Sequence, residues 1–366
     1  MITLVDVSGT PRERGRQYGE QARTQIAASI GYYQEAFAAS CGLNWQEVCE
    51  RARMWLPLVS DFAPDLLEEV EGIAEGAGRE LLEIMALNAR GEIVYDSTFA
   101  DLREDSDGCS SFALLPEASG DGHVYAGQNW DWRERAADSV IMLRISAPAK
   151  PTIIMQIEAG QVGRHGANSA GLALQANGLG GRFANQVGVP QPFIRRRVLE
   201  SADMYTALNV LFSVRPQIAN NYLFVHRDGF AIDVEATPDR HGWMYPTDGV
   251  LVHGNHYQAF MPEQVKAGYR PMAVDSLYRV PRIEQALKGC RTASGSDETH
   301  KIISGALSDH FGHPHGVCAH PDERMDPVLR WQTLTSSVVD LTTGEYRVAV
   351  GTPCESAYET LPWELY

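Results

Sequence analysis

The stretch Asp107–Trp132, DGCSSFALLPEASGDGHVYAGQNWDW, decides how the rest of the chain is read. Two β-rich runs, SSFALL and HVYAGQNW, flank a turn rich in glycine and aspartate, which predicts an antiparallel hairpin. Pairing of its arms returns Asn129 and Asp131 to the head of the first strand, where Gly108 and Cys109 stand. A thiol can attack the carbonyl of its own preceding peptide bond, and a glycine there has no Cβ to hinder the strained backbone this requires. Hydrolysis of the resulting ester would leave Cys109 as a chain terminus. Its α-amine, with a pKa of about 8, is then placed to act as base for the adjacent thiol. Gly-Cys alone is a common pair, and the arrangement QNWDW beyond the turn is what adds weight. On spacing alone, Asn129 and Asp131 can equally be turn hydrogen-bonders, with Trp130 and Trp132 as core or rim aromatics.

Upstream, the first hundred residues read as three or four helices. TPRERGRQYGEQ opens with a capping signature, Thr10 as N-cap, Pro11 at the first helical position and Glu13 at the third. Downstream the periodicity changes to short strands: SVIMLRIS, PTIIMQIEA, GLALQAN, a hairpin NYLFVHRDGFAIDVEATP turning at Asp228-Gly229, and GVLVHGNH. A helix is expected around residues 192–213, two more near 272–289 and 296–309, and a closing strand pair in LTSSVVDLTTGEYRVAVG. Helices flanking two runs of strands imply layered sheets with helices outside. No repeat or long linker interrupts them, so residues 1–366 read as one body.

Two further constellations carry polar chemistry. In LVHGNHY, Asn255 stands at a strand end between His253 and His256, and an asparagine amide there suits a developing oxyanion, because it donates without carrying charge. The histidines can instead be satisfied polar residues or metal ligands. The loop SDHFGHPHGVCAHPDERMD packs His310, His313, His315, His320 and Cys318 together, and imidazole and thiolate are zinc ligands. It matches no familiar ligand spacing and lacks a helical HExxH pair, so it reads first as a structural loop and second as a zinc site. The glycine-rich GQVGRHGANSAGLALQANGLGG has neither GxGxxG before a helix nor a Walker motif, which argues against a phosphate cradle.

The chain has 366 residues, a formal charge of −16, 44% hydrophobic and 21% charged residues. That balance is of a soluble globular protein and argues against a nucleic-acid partner. The amino terminus lacks a secretory pattern and no apolar run has the length of a membrane span, so a cytoplasmic protein is expected. The six cysteines lack framework spacing, which favours thiols over disulfides.

Together, DGCSSF…GQNWDW, GRHGANSAGLALQANGL, HGNHY, SDH…GVCAHPD and VVDL…YRVAVGTPC, with the opening GTPRERGRQYGEQ, resemble the acyl-coenzyme A:6-aminopenicillanic acid acyltransferase family of N-terminal nucleophile hydrolases. The resemblance implies an α+β, four-layer αββα sandwich with an N-terminal helical segment, and a precursor that cuts itself between Gly108 and Cys109. Fragments 1–108 and 109–366 would remain one heterodimeric body. It implies Cys109 as nucleophile, Asp131 oriented on it and its amine, and Asn255 as oxyanion donor, with Asn129 in support. A later arginine is also implied, and Arg330 is the nearest candidate before the penultimate strand. Ser110-Ser111 stand where the family often has Thr-Thr. No cofactor or metal is expected in the reaction, acyl-coenzyme A is a conceivable co-substrate, and the substrate implied is a small N-acyl amide. The alternatives are a zinc-dependent hydrolase built on loop 310–320 and a non-catalytic binding protein on the same fold.

Overall fold

The computed structural model describes residues 2–94, 108–181, 183, 187–266, 268–271 and 273–366. Among these, the strands are β1 (Thr3–Ser8), β2 (Ser110–Leu114), β3 (Tyr125–Arg133), β4 (Val140–Ser146), β5 (Ile153–Glu158), β6 (Gly166–Asn168), β7 (Leu172–Gln175), β8 (Asn220–His226), β9 (Phe230–Ala236), β10 (His241–Met244), β11 (Val250–His253), β12 (Trp331–Asp340), β13 (Tyr346–Val350) and β14 (Glu359–Thr360). They form two sheets, ordered β1-β4-β5-β6-β7-β8-β9-β10 and β11-β2-β3-β12-β13-β14. Among these strands only the β1–β4 pairing is parallel.

The facing surfaces of the sheets are closed by small and branched side chains, among them Ala113, Ala126 and Leu251 from one and Ala167, Ala173 and Val225 from the other. On the outer face of the eight-stranded sheet, Ile141, Leu143, Ile157 and Phe224 pack under a helical layer. That layer comprises α1 (Pro11–Gln21), α2 (Arg23–Cys41), α3 (Trp45–Ala52), α4 (Leu56–Phe62), α5 (Pro64–Ala77), α6 (Leu81–Asn88), α7 (Arg90–Val94), α8 (Gln191–Leu199) and α9 (Met204–Ser213). After a short α10 (Glu263–Lys266), α11 (Ser276–Leu287) and α12 (Ser296–Leu307) cover the six-stranded sheet, setting Ile283, Leu287, Ile303 and Leu307 against Phe112, Leu114 and Val252. The result is the four-layer αββα order, with both outer layers helical because each sheet has two apolar faces to bury.

The expected hairpins and the closing strand pair are present, and Asp228-Gly229 turns as expected, with Gly229 at φ 82°. The amino-terminal reading needs two corrections. The strand β1 precedes the helices, its buried Val5 and Val7 alternating with more exposed neighbours over only six residues. Among the described residues the three or four expected helices are seven, in part because Pro57 and Pro64 start new ones and proline cannot sit inside a helix without losing a hydrogen bond. The first cap does form, Glu13 accepting from the Thr10 amide at 2.9 Å. The stretch 192–213 is likewise two helices, the second capped by Asp203, which accepts from the Thr206 amide at 2.8 Å.

Helices α1 and α5 meet backbone to backbone. A Cβ on Gly15 would stand 2.1 Å from the Glu69 carbonyl oxygen, so only glycine permits the crossing. That approach delivers the buried Glu69 to both Arg14, at 2.8 Å, and Arg196, at 2.9 Å. Arg196 also donates to the Val162 carbonyl at 3.0 Å, which ties the amino-terminal helices to the loop carrying Arg164.

Candidate active site

Residues Gly108 and Cys109 enter β2 at the junction of β2, β3 and β11. Ser110 pairs with Asn129 and Ser111 with Gln128, and carrying that register on sets Gly108 opposite Asp131. Cys109 is fully buried, its Sγ 3.9 Å from the Asp131 carbonyl oxygen. The Asp131 carboxylate is held by the Thr333 hydroxyl, which donates to Oδ1 at 2.6 Å. A β-bulge between Thr333 and Thr335 falls beside this residue, and bulges re-aim side chains at strand ends.

Gly108 has no room for a side chain. A Cβ there would stand 2.5 Å from the Trp331 ring and 3.1 Å from Asp131 Oδ2. The pressure on this glycine is therefore contact with the Asp131 side chain as well as conformational freedom. Gly108→Ala is expected to push the Gly108 carbonyl out of place and slow any cleavage at 108/109 by about 100-fold, the usual consequence of a shift near 1 Å at a reacting group. A mass-spectrometric time course of the uncut chain measures this.

The organising side chain is Arg279, from the first turn of α11 and wholly buried. Its Nη1 donates to the Gly108 carbonyl at 3.0 Å, the Cys109 carbonyl at 2.7 Å and Ser110 Oγ at 2.6 Å. Its Nη2 donates to Asn255 Oδ1 at 2.9 Å, while Asp275 pairs with Nε at 3.0 Å. Asn255 is further fixed by its backbone amide, which donates to Ser276 Oγ at 2.6 Å, and by Nδ2, which donates to the Gly178 carbonyl at 3.0 Å. A side-chain amide has two N–H bonds, and the Gly178 carbonyl takes one of them.

Of the residues expected from sequence, Gly108, Cys109, Asp131 and Asn255 thus converge. Asn129 lies on the adjoining strand, but its Nδ2 donates to the Leu307 and Val317 carbonyls, both at 2.8 Å, and so holds α12 and the following loop to the sheet. The hydrogen bonds of Arg330 do not bring it to this cluster. Its guanidinium donates to the Met325 and Glu323 carbonyls at 3.3 and 3.1 Å, bracing its own turn.

The sequence reading missed two arginines. Arg279 lies in the stretch 272–289, whose pattern predicts a helix and nothing more. Arg164, from the glycine-rich run, is buried with its guanidinium 3.7 Å from the centre of the Trp130 ring, and has no carboxylate partner among the described residues. Burial lowers its pKa to about 10, and the nearby Cys109 thiol opposes that shift. A lone buried cation of this kind favours a thiolate or another anion beside it.

The two histidines of HGNHY are satisfied polar groups. His256 is kept neutral, burial and the neighbouring His253 and Arg279 lowering its pKa to about 4, with Nδ1 2.7 Å from Ser276 Oγ. For His253, burial alone would lower the pKa, but Asp233 and Glu235 outweigh it and raise it to about 9. Its Nε2 lies 3.0 Å from Glu235 and Nδ1 2.9 Å from the Gly254 carbonyl. Because the folded pKa exceeds the unfolded value of about 6.5, the native state keeps a proton that the unfolded chain releases. That stabilisation is full below about pH 6.5 and disappears as pH rises through 9. Thermal melts at pH 7 and 10 are expected to show an alkaline loss on the order of 3 kcal/mol, absent in His253→Gln.

Beside Asn255 a cleft opens between Gly178, Gly180, Gly181, Trp132 and Ile218. It shares Arg90, Gly91 and Trp132 with a second cleft lined by Tyr32, Tyr33 and Phe37. Arg90 is packed against the Trp132 ring at 4.4 Å and paired with Glu158 at 2.5 Å. No described helix is long and apolar enough to cross a membrane.

Known proteins are similar to this chain to different degrees. A protein from Emericella nidulans, the acyl-coenzyme A:6-aminopenicillanic-acid-acyltransferase 40 kDa form, is 29% identical over 351 residues, covering 95% of this chain and 92% of that one. Among solved structures, a mutant of the conjugated bile acid hydrolase from Clostridium perfringens aligns with a TM-score of 0.46 at 11% identity, over 70% of this chain and 97% of that one. The penicillin V acylase from Agrobacterium tumefaciens aligns with a TM-score of 0.44 at 12% identity, over 66% and 83%. The family model described as acyl-coenzyme A:6-aminopenicillanic acid acyl-transferase matches residues 118–354, well over half of the molecule, and to that family this chain belongs.

Proposed function

We propose that the chain is an autoproteolytic cysteine enzyme that cuts itself between Gly108 and Cys109, then hydrolyses or transfers the acyl group of a small N-acyl amide through a thioester on Cys109. The observation that carries this reading is the Arg279 fork, which holds the carbonyl of the expected scissile bond with one nitrogen and Asn255 with the other.

In the first reaction the Cys109 sulfur adds to the Gly108 carbonyl carbon. Negative charge develops on the oxygen already facing Arg279, where a preorganised donor is most effective. The C–N bond breaks as the nitrogen takes a proton, leaving a thioester to Gly108 and an α-amine on Cys109. Water hydrolyses the thioester, giving a Gly108 carboxylate and the thiol. The new amine lies beside the Asp131 carboxylate, which suits its ammonium form and orients it.

In the second reaction the amine takes the thiol proton, sulfur attacks the substrate carbonyl, and the spare Asn255 N–H stabilises the oxyanion. The proton passes to the departing amine, and water or an acceptor amine resolves the acyl-enzyme. Acyl-coenzyme A can load the same thioester by exchange, its thiol leaving as the acyl group moves to Cys109. The aromatic cleft of Tyr32, Tyr33, Phe37 and Trp132 suits an apolar acyl group.

Fragments 1–108 and 109–366 would stay together after the cut, because β1 is paired with β4 and the amino-terminal helices share one core with the outer face of that sheet. The six cysteines are free thiols.

Intact-mass spectrometry under denaturing conditions tests this reading without a substrate. Two masses meeting between Gly108 and Cys109 are expected, from a species that elutes as one under native conditions. A single full-length mass, with Cys109 inert to thioester and amide substrates, would refute it.

A further inference from the structure

On the far side of Thr333 from Asp131, the histidine-rich loop meets the segment that follows β13. His310, Cys318, His320 and Cys354 present one ligand atom each, all within 4.8 Å of one another. The Cys318 and Cys354 sulfurs are 3.5 Å apart, and His320 Nε2 is 3.6 Å from the first and 3.3 Å from the second. His310 Nε2 lies 3.1 Å from His320 Nε2.

Tetrahedral zinc, with bonds of about 2.3 Å to sulfur and about 2.05 Å to nitrogen, has edges of about 3.8 Å between sulfurs, 3.6 Å from sulfur to nitrogen and 3.4 Å between nitrogens. The four measured edges each come within about 0.3 Å of these values. The remaining two, from His310 to the sulfurs, close with a small movement of an exposed imidazole. The sulfurs are far outside the roughly 2.05 Å of a disulfide.

The geometry points to a structural zinc site formed by Cys318, His320, His310 and Cys354. Two thiolates and two imidazoles select a soft or borderline cation over magnesium or calcium. Binding forms two Zn–S and two Zn–N bonds and releases the two thiol protons to solvent, leaving a neutral centre. Four protein ligands leave no open position, which separates this centre from the hydrolytic zinc that loop 310–320 alone suggested. His315 is engaged elsewhere, 3.3 Å from Asp322 and packed on Trp331.

The site braces the cysteine centre. Ala319, between two ligands, accepts from the Thr333 amide at 3.0 Å and donates its own to Thr333 Oγ1 at 3.0 Å, the hydroxyl that holds Asp131 at 2.6 Å. Zinc would fasten the two residues that flank Ala319, and with them the backbone that positions that threonine.

Full-length protein purified with added zinc under reducing conditions is expected to keep one zinc per chain through dialysis, by elemental analysis. Cobalt substitution should give the intense visible bands of a tetrahedral thiolate site. Cys354→Ser, at an exposed ligand, should weaken zinc at least about 100-fold in competition with a chromophoric chelator, while circular dichroism reports a retained fold. Wild-type protein that holds no zinc, that carries a Cys318–Cys354 disulfide, or whose zinc affinity is unchanged by Cys354→Ser would overturn the assignment. The cobalt spectrum of wild-type protein decides the matter should the variant fail to fold.

Discussion

Cys109→Ala is expected to yield a single uncut chain with activity reduced at least about 10⁴-fold, the scale on which removing a nucleophile costs an acyl-transfer enzyme. Both losses have one origin, because the same sulfur would open the Gly108–Cys109 bond and later carry the acyl group. Stability should change little. The thiol is a small buried group, its sulfur 3.9 Å from the Asp131 carbonyl oxygen, and alanine fills most of its volume. Cys109→Ser separates chemistry from packing. A hydroxyl keeps the connectivity but holds its proton far more tightly than a thiol, so cleavage should persist at a reduced rate while turnover falls further. Gel and mass analysis of the two variants beside wild type gives the comparison. A processed Cys109→Ala chain would sink the self-cleavage reading outright.

How much of this centre could be seen in the sequence depended on the range of the contact. Gly108, Cys109 and Asp131 lie on two arms of one hairpin, so strand periodicity was enough to bring them together. Asn255 was legible because β11 ends at a polar cluster, and that strand pairs with β2. Arg279 and Arg164 left no such trace. Each reaches the cysteine across a tertiary contact, from a helix on one side and a loop after β5 on the other, and an arginine in a helix is usually a surface residue. Arg330 was favoured by proximity to a strand, yet its backbone carbonyl accepts from Glu134 and its side chain turns back on residues 323–325. Cys354 was missed for a similar reason. It lies 34 residues beyond His320, and the two meet only because β12 and β13 pair antiparallel and return the chain to its loop. The strand β1 was too short for its alternation to stand out before a strongly capped helix.

Arg279→Lys is expected to slow self-cleavage by about 10²- to 10³-fold, the cost of losing a preorganised donor to a developing oxyanion. Lysine keeps the charge and its pairing with Asp275, but a single ammonium cannot span the Gly108 carbonyl and Asn255 Oδ1 as the guanidinium fork does. The loss is therefore geometric, and it should fall on two readouts at once: accumulation of uncut chain, and a lower kcat in whatever fraction is cut, because Asn255 loses the partner that orients its donor. Arg279→Met is the less informative change. It strands buried Asp275 and removes the donor from four acceptors, the Gly108 and Cys109 carbonyls, Ser110 Oγ and Asn255 Oδ1, and breaking a buried ion pair costs about 3–5 kcal/mol, so slow cleavage there could reflect partial unfolding. The comparison that decides is Arg279→Lys against Asn129→Ala. Asn129 binds the Leu307 and Val317 carbonyls through its amide nitrogen, so its loss should lower the melting temperature more than it slows the cut. If Arg279→Lys cuts at the wild-type rate while melting lower, Arg279 is a structural strut, and the scissile carbonyl must draw its stabilisation from backbone donors.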